Sequence, residues 1–151
     1  NFVGKYISDY LRQNFQPQLP IFHLVGGVDK LHDEEVDDTD PDDGLPVSLT
    51  QWIAREGVYC LKVKLRGNDL TWDVERTVAV YRVAAQTLIN HGLKHSPILS
   101  VDSNEMCPNP EYVIEYCRRL EETNKDVFKA LLYIEQPTER DLSAHCFDVH
   151  Q

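Results

Sequence analysis

Residues 59 to 65 read YCLKVKL, with apolar and polar side chains alternating at the period of two that a β-strand imposes. Beyond them the period changes: in residues 71 to 92, TWDVERTVAVYRVAAQTLINHG, Val74, Val78, Tyr81, Ala85 and Leu88 fall on one helical face. Asp73 and Glu75 stand at the positive end of that helix, and Gly92 stops it. Alternation returns in PILSVDSNE, residues 97 to 105, and again in ALLYIEQP, residues 130 to 137. Between these two, NPEYVIEYCRRLEE predicts a helix with Asn109 as N-cap, Pro110 in the first turn and Val113, Cys117 and Leu120 as its apolar stripe. Upstream, IFHLVGG predicts a short strand. SLTQWIAREG predicts a helix capped by Ser48 and Gln51, with Trp52 and Ile53 facing inward and Gly57 at its end. Strands and helices alternating through short loops make the fold class α/β, built of parallel β/α units.

The remaining stretches are less regular. The opening VGKYISDYLRQNF sets Val3, Tyr6, Ile7, Tyr10 and Leu11 on one stripe, predicting a helix that the prolines of QPQLP end. Residues 1–20 then form a helix and linker, and residues 21–151 the β/α domain. DKLHDEEVDDTDPDDGLP is acidic and aperiodic, the pattern of a solvated loop. Within it Asp38, Asp40 and Asp42 alternate as in an EF-hand, but Asp43 stands where the turn glycine belongs and Leu49 where the bidentate glutamate belongs.

A net charge of -10 without any lysine or arginine cluster argues against nucleic acid and anionic membrane surfaces as partners. No apolar run approaches the roughly 18 residues of a membrane span, and NFVGKYISDY lacks the pattern of a signal peptide. Cys60, Cys107, Cys117 and Cys146 include no C-x-x-C pair and read as reduced thiols, so a cytoplasmic protein is expected. His23, His32, His91, His95, His145 and His150 show no ligand spacing, read as loop or terminal residues, and take no role.

The polar positions of the strands are the candidate chemistry. Lys62 and Lys64 share one face of their strand, opposite Leu61, Val63 and Leu65. The same parity groups Ser100, Asp102 and Asn104 on the next strand, and Tyr133 with Glu135 on the third. Lys64 to Asp102 is 38 positions and Asp102 to Glu135 is 33, each near the roughly 30 residues of one strand-helix-strand unit. Three adjacent strands thus carry charge to their carboxyl ends, where α/β proteins bind ligands. Two lysines facing an interior need carboxylates or an anion opposite, and Asp102 and Glu135 are hard oxygen donors suited to Mg²⁺. Taken singly, the lysines also read as charges of an exposed edge strand, and the carboxylates as their partners or as loop caps. Cys60 and Tyr133, on the same faces, read as core fillers.

KVK at 62 to 64, VDSNE at 101 to 105 and IEQP at 134 to 137 resemble, in order and spacing, the second, third and fourth barrel strands of the enolase superfamily. The branch is that of mandelate racemase and muconate lactonizing enzyme, and the likeness runs from about Ile21 to Asp141. It implies a (β/α)₈ barrel that abstracts the proton α to a carboxylate and holds the enediolate on Mg²⁺. Residue by residue it implies Lys64 as general base, Lys62 as its electrostatic support, Asp102 and Glu135 as the first two metal ligands, and Asn104 as a substrate-side residue. A small carboxylate is the implied substrate, with racemization, epimerization or cycloisomerization as the outcome.

In that family the third metal ligand lies on the fifth strand and the opposing acid or base on the sixth or seventh, beyond the positions matched here. A full barrel needs about 250 residues, so about half a TIM-type barrel is expected, as a fragment of a longer enzyme and inactive alone. A capping region is expected at most in residues 1–20. The alternatives are a sugar-acid dehydratase of the same superfamily and an inert half-barrel that serves in assembly. The expected partner is a homo-oligomer mate or a complementary barrel half, since parallel strands need both faces covered.

Overall fold

Each predicted strand forms, and the four lie side by side in chain order. The computed structural model describes residues 3–11, 14, 17, 19–141 and 143–148. Strand β1 (His23–Val25) is followed by helix α1 (Leu49–Glu56), β2 (Cys60–Lys64), α2 (Leu70–Asn90), β3 (Ile98–Asp102), α3 (Pro110–Thr123), α4 (Lys125–Ala130) and β4 (Leu131–Glu135). All neighbours are parallel, in the order β1-β2-β3-β4. Local chemistry sets the helix starts. Ser48, Asp69 and Asn109 each accept a bond from a backbone N–H of the first turn, at 3.1, 3.1 and 2.9 Å. Gly57, at φ 67°, ends α1 in the left-handed conformation that glycine adopts without a Cβ clash.

The core lies between one face of the sheet and the helices. Leu61, Val63, Leu99 and Val101 are fully buried in one cluster with Val80, Ala84 and Leu88 of α2 and Tyr116 and Leu120 of α3. Burying each such aliphatic side chain contributes about 1.5–3 kcal/mol. The α2 stripe is wider than its predicted face: Val74, Val78 and Leu88 are buried, Tyr81 and Ala85 only partly, and Val80, Val83 and Ala84 join the core. A helix packed between sheet and neighbouring helices needs more than one seam.

Three expectations require correction. The N-terminal stripe forms no helix in its described part; Ile7–Asp9 is a single 3₁₀ turn, and Val3, Tyr6, Ile7, Tyr10 and Leu11 are all exposed. An amphipathic stripe drives helix formation only where it is buried, and these five side chains stand exposed; positions 12, 13 and 15 of that stretch lie outside the described residues. Helix α4, capped by Asn124, was not foreseen, since KDVFKA is too short to show a period. Finally, β4 does not keep the strict alternation expected of residues 130 to 137. A register shift opposite Leu99/Ser100 leaves Leu132 exposed, while Tyr133 pairs with Ser100. Among the described residues, no helix is long and apolar enough to cross a membrane.

Candidate active site

Strand β2 runs between β1 and β3, so Lys62 and Lys64 are not edge-strand charges. Register sets their neighbours: Lys62 lies opposite Ser100, Lys64 opposite Asp102, and Asp102 opposite Glu135. The three strand ends therefore meet on one face. Lys62 Nζ bridges the two carboxylates, 2.9 Å from Asp102 Oδ2 and 2.8 Å from Glu135 Oε2. Lys64 Nζ donates to the same Asp102 Oδ2 at 2.5 Å and to Asn104 Oδ1 at 2.7 Å. Asp102 is buried; the lysines and Glu135 remain partly open to solvent. All five candidate residues are brought together, and the reading of the carboxylates as partners of the lysines describes this state correctly.

Burial pushes the Asp102 carboxyl up, but hydrogen bonds from Lys64, Lys62 and the Asn104 N–H outweigh it and hold the group below its usual range. Glu135 and Asp102 together raise Lys62 and keep it charged. A carboxyl that ionises more readily when folded contributes stability that is fully present above its unfolded pKa of about 3.9 and is lost as pH falls through the lower folded value. The urea midpoint of the protein is accordingly expected to drop more steeply between about pH 5 and pH 2 than that of Asp102→Asn. Equal slopes would remove Asp102 as a contributor.

Below the charged groups the inner face is apolar. Phe22, next to β1, and Tyr133, on β4, meet edge to face at 5.6 Å across the sheet. Cys60 and Ser100, on the two middle strands, are buried, and Ser100 Oγ has no hydrogen-bond partner among the described residues. Tyr133 itself is 42% exposed, so it is not the core filler expected.

The loops above the strand ends are pinned to one another. Asp102 Oδ1 accepts the Asn104 N–H at 2.8 Å, which turns the chain sharply after β3. Asn104 and Glu105 have φ of 49° and 68°, and Gln136, directly after Glu135, has φ of 43°. For side chains other than glycine this conformation costs about 1–3 kcal/mol each, so the surroundings must enforce it. Glu105 N–H donates to Gln136 O at 2.7 Å, Cys107 N–H to Pro137 O at 3.0 Å, and Ser103 Oγ lies within 3.2 Å of both carbonyls.

The β2–α2 loop is fastened by Asp73, which is fully buried and not a surface charge at a helix end, as its position suggested. It accepts from Arg66 N–H at 2.7 Å, Gly67 N–H at 3.0 Å and Tyr112 Oη at 2.7 Å. At Gly67, φ 72°, a Cβ would lie 2.8 Å from Met106 Cβ, so only glycine lets this loop approach the β3–α3 loop. Asp73, Ser103, Glu105 and Arg140 escaped the sequence reading. Ser103, Glu105 and Arg140 lie within five residues of a strand end, and Asp73 lies in the first turn of α2.

The other candidates stand apart. Carboxylates of the acidic loop are engaged locally: Asp37 and Asp40 bind Lys30 at 3.2 and 2.6 Å, and Asp33 accepts from Ser48 Oγ at 2.5 Å. His23 is not a loop residue but part of β1, where burial lowers its pKa and its ring lies 4.9 Å from Trp52. His95 stacks on Tyr59 at 4.0 Å, and His150 lies outside the described residues. Among the described residues, no three His, Cys, Asp or Glu side chains converge as a metal cluster.

The pair Asp102 and Glu135 nevertheless fits a Mg²⁺ that takes one or two carboxylates and completes its shell with water and substrate oxygens. The Lys62 ammonium lies between their oxygens, so a metal ion held by both carboxylates would take its place there. The chain matches no protein-family model, no curated protein and no solved structure.

Proposed function

We propose that this chain forms the first four β/α units of an enolase-superfamily barrel of the mandelate racemase and muconate lactonizing branch, and that its strand-end cluster abstracts the proton α to a small substrate's carboxylate. The observation that carries the proposal is the Lys62 bridge between Asp102 and Glu135, with Lys64 beside it, at the carboxyl ends of three adjacent parallel strands. The barrel reading draws on the sheet's two unpaired edges and on Leu24 and Tyr133, which stand exposed on its inner face.

In this reading Lys64 is the base. Its amine takes the α-proton: the C–H bond breaks, an N–H bond forms, and the electron pair moves into the carboxylate to give an enediolate. A base must be unprotonated, so the Lys64–Asp102 hydrogen bond has to open first. Asn104, which holds Lys64 Nζ from the other side, keeps the amine aimed at the mouth when it does. Glu135 and Asp102 raise Lys62 and hold it charged. Asp102 and Glu135 would hold Mg²⁺, which supplies positive charge beside the substrate carboxylate and so acidifies the α-carbon. Reprotonation of the enediolate gives racemization or epimerization, and expulsion of a β-carboxylate oxygen by its electron pair opens a lactone ring, the reverse of which is cycloisomerization.

Calorimetric titration with magnesium chloride tests the metal assignment. Asp102→Asn is expected to weaken binding by about tenfold or more, because an amide replaces the anionic ligand. Unchanged affinity would remove Asp102 from the site.

A further inference from the structure

We propose that Glu105 is a positioning residue for the Asp102–Glu135 pair, acting through Arg140 and the loop that follows β4; this rests on the reading of that pair as a divalent-cation site. Gln136 follows Glu135 directly, and Asn104 lies two positions beyond Asp102. The bond from Glu105 N–H to Gln136 O, 2.7 Å, therefore joins the two carboxylate-bearing strand ends just above the site.

Backbone conformation shows that this joint is enforced. Glu105 and Gln136 both hold the left-handed conformation, which neither side chain favours, and asparagine at 104 adopts it beside them. What holds them is the Glu105 carboxylate, which takes the Arg140 guanidinium through Nε and Nη2 and also accepts the Arg140 N–H at 3.3 Å. Arg140 lies four residues beyond Gln136, so the clamp closes the β4 loop back onto the β3 loop. Ser103 Oγ, bonded to the Gln136 and Pro137 carbonyls, fastens the same two loops from beneath.

A purely stabilising role explains this poorly. The Arg140 side chain is 75% exposed, and ion pairs with one partner so open to solvent add little to global stability. Strained backbone retained for a weak surface contact is instead what a constrained site requires. With the clamp gone, Gln136 can relax, and Glu135 then shifts relative to Asp102. The separation of the two carboxylates is the quantity that Mg²⁺, with its short and nearly octahedral bonds, reads most strictly.

The test is magnesium chloride titration by calorimetry on the parent chain, Glu105→Gly, Arg140→Ala and the exchange Glu105→Arg/Arg140→Glu, with thermal midpoints measured alongside. Glycine relieves the left-handed strain while deleting the clamp, and Arg140→Ala deletes the clamp at an exposed position. Both single variants are expected to bind Mg²⁺ about tenfold or more weakly, as outer-shell changes do, at nearly unchanged midpoints. The exchange, which restores an ion pair, is expected to recover most of the affinity. Single variants that bind within about threefold of the parent overturn the proposal. So does weakening that only accompanies a falling midpoint, or an exchange that recovers nothing. A parent that binds no Mg²⁺ overturns the cation site itself, a separate failure that shows in the parent titration alone.

Discussion

Replacing Lys64 with alanine is expected to slow exchange of a substrate α-proton with solvent deuterium by about 10²–10⁴, the usual contribution of a positioned general base. The assignment distinguishes two lysines with the same parity and similar exposure. Lys62 Nζ is engaged by both carboxylates and stays charged, so it is a poor proton acceptor. Lys64 Nζ has one carboxylate and the neutral Asn104 amide, and it ends its strand at the mouth of the site. Exchange followed by proton NMR on small carboxylates with an α C–H, in the active parent protein, reads the step directly. Exchange that persists at the parent rate in Lys64→Ala would remove Lys64 as the sole base.

The second large effect concerns folding. Asp73→Ala is expected to destabilise the protein by about 3 kcal/mol, because the Arg66 N–H, the buried Gly67 N–H and the Tyr112 hydroxyl lose their common acceptor. For a domain of this size each kcal/mol shifts the thermal midpoint by about 2–4 °C, so a drop of about 6–12 °C follows. Asp73→Asn, which keeps one carbonyl acceptor, should fall between parent and alanine. A midpoint for Asp73→Ala within about 2 °C of the parent would show that water replaces the carboxylate and that the loop is held otherwise. Burial together with Asp73 raises the Tyr112 phenol, which therefore stays a donor to Asp73 through neutral and mildly alkaline pH.

The two effects separate the chemistry of the cluster from the scaffold that presents it. Lys62, Lys64, Asp102 and Glu135 occupy strand ends, and their facing is a property of the strands. Gly67 and the Glu105–Arg140 clamp occupy loops and Asp73 the first turn of α2, and they decide how closely those ends approach. Only the first group stands out in the sequence, because a strand advertises its facing every second residue. A loop residue bonded to a backbone N–H of a distant segment leaves no periodic trace. Asp73 is concealed in another way: its place in the first turn of a helix has a sufficient local explanation in the helix dipole, and that explanation hides its burial.

The N-terminal stripe shows the converse. Val3, Tyr6, Ile7, Tyr10 and Leu11 carry a good helical period, yet all five are exposed and only a 3₁₀ turn forms among them. Period states what a helix would bury, whereas formation depends on a surface to bury it against.

By itself the sequence determined the alternation of strand and helix, the caps at Ser48 and Asn109, and the shared parity of Lys62 with Lys64, of Asp102 with Asn104, and of Tyr133 with Glu135. These follow from backbone geometry and hydrogen bonds within a few residues, which any window of the chain contains. Tertiary structure alone decided that β2 is interior, that Lys62 bridges Asp102 and Glu135, and that Glu105 and Gln136 meet in strained turns. Those outcomes depend on contacts between segments some 30 or more residues apart, whose energies are settled only when the strands are laid in register.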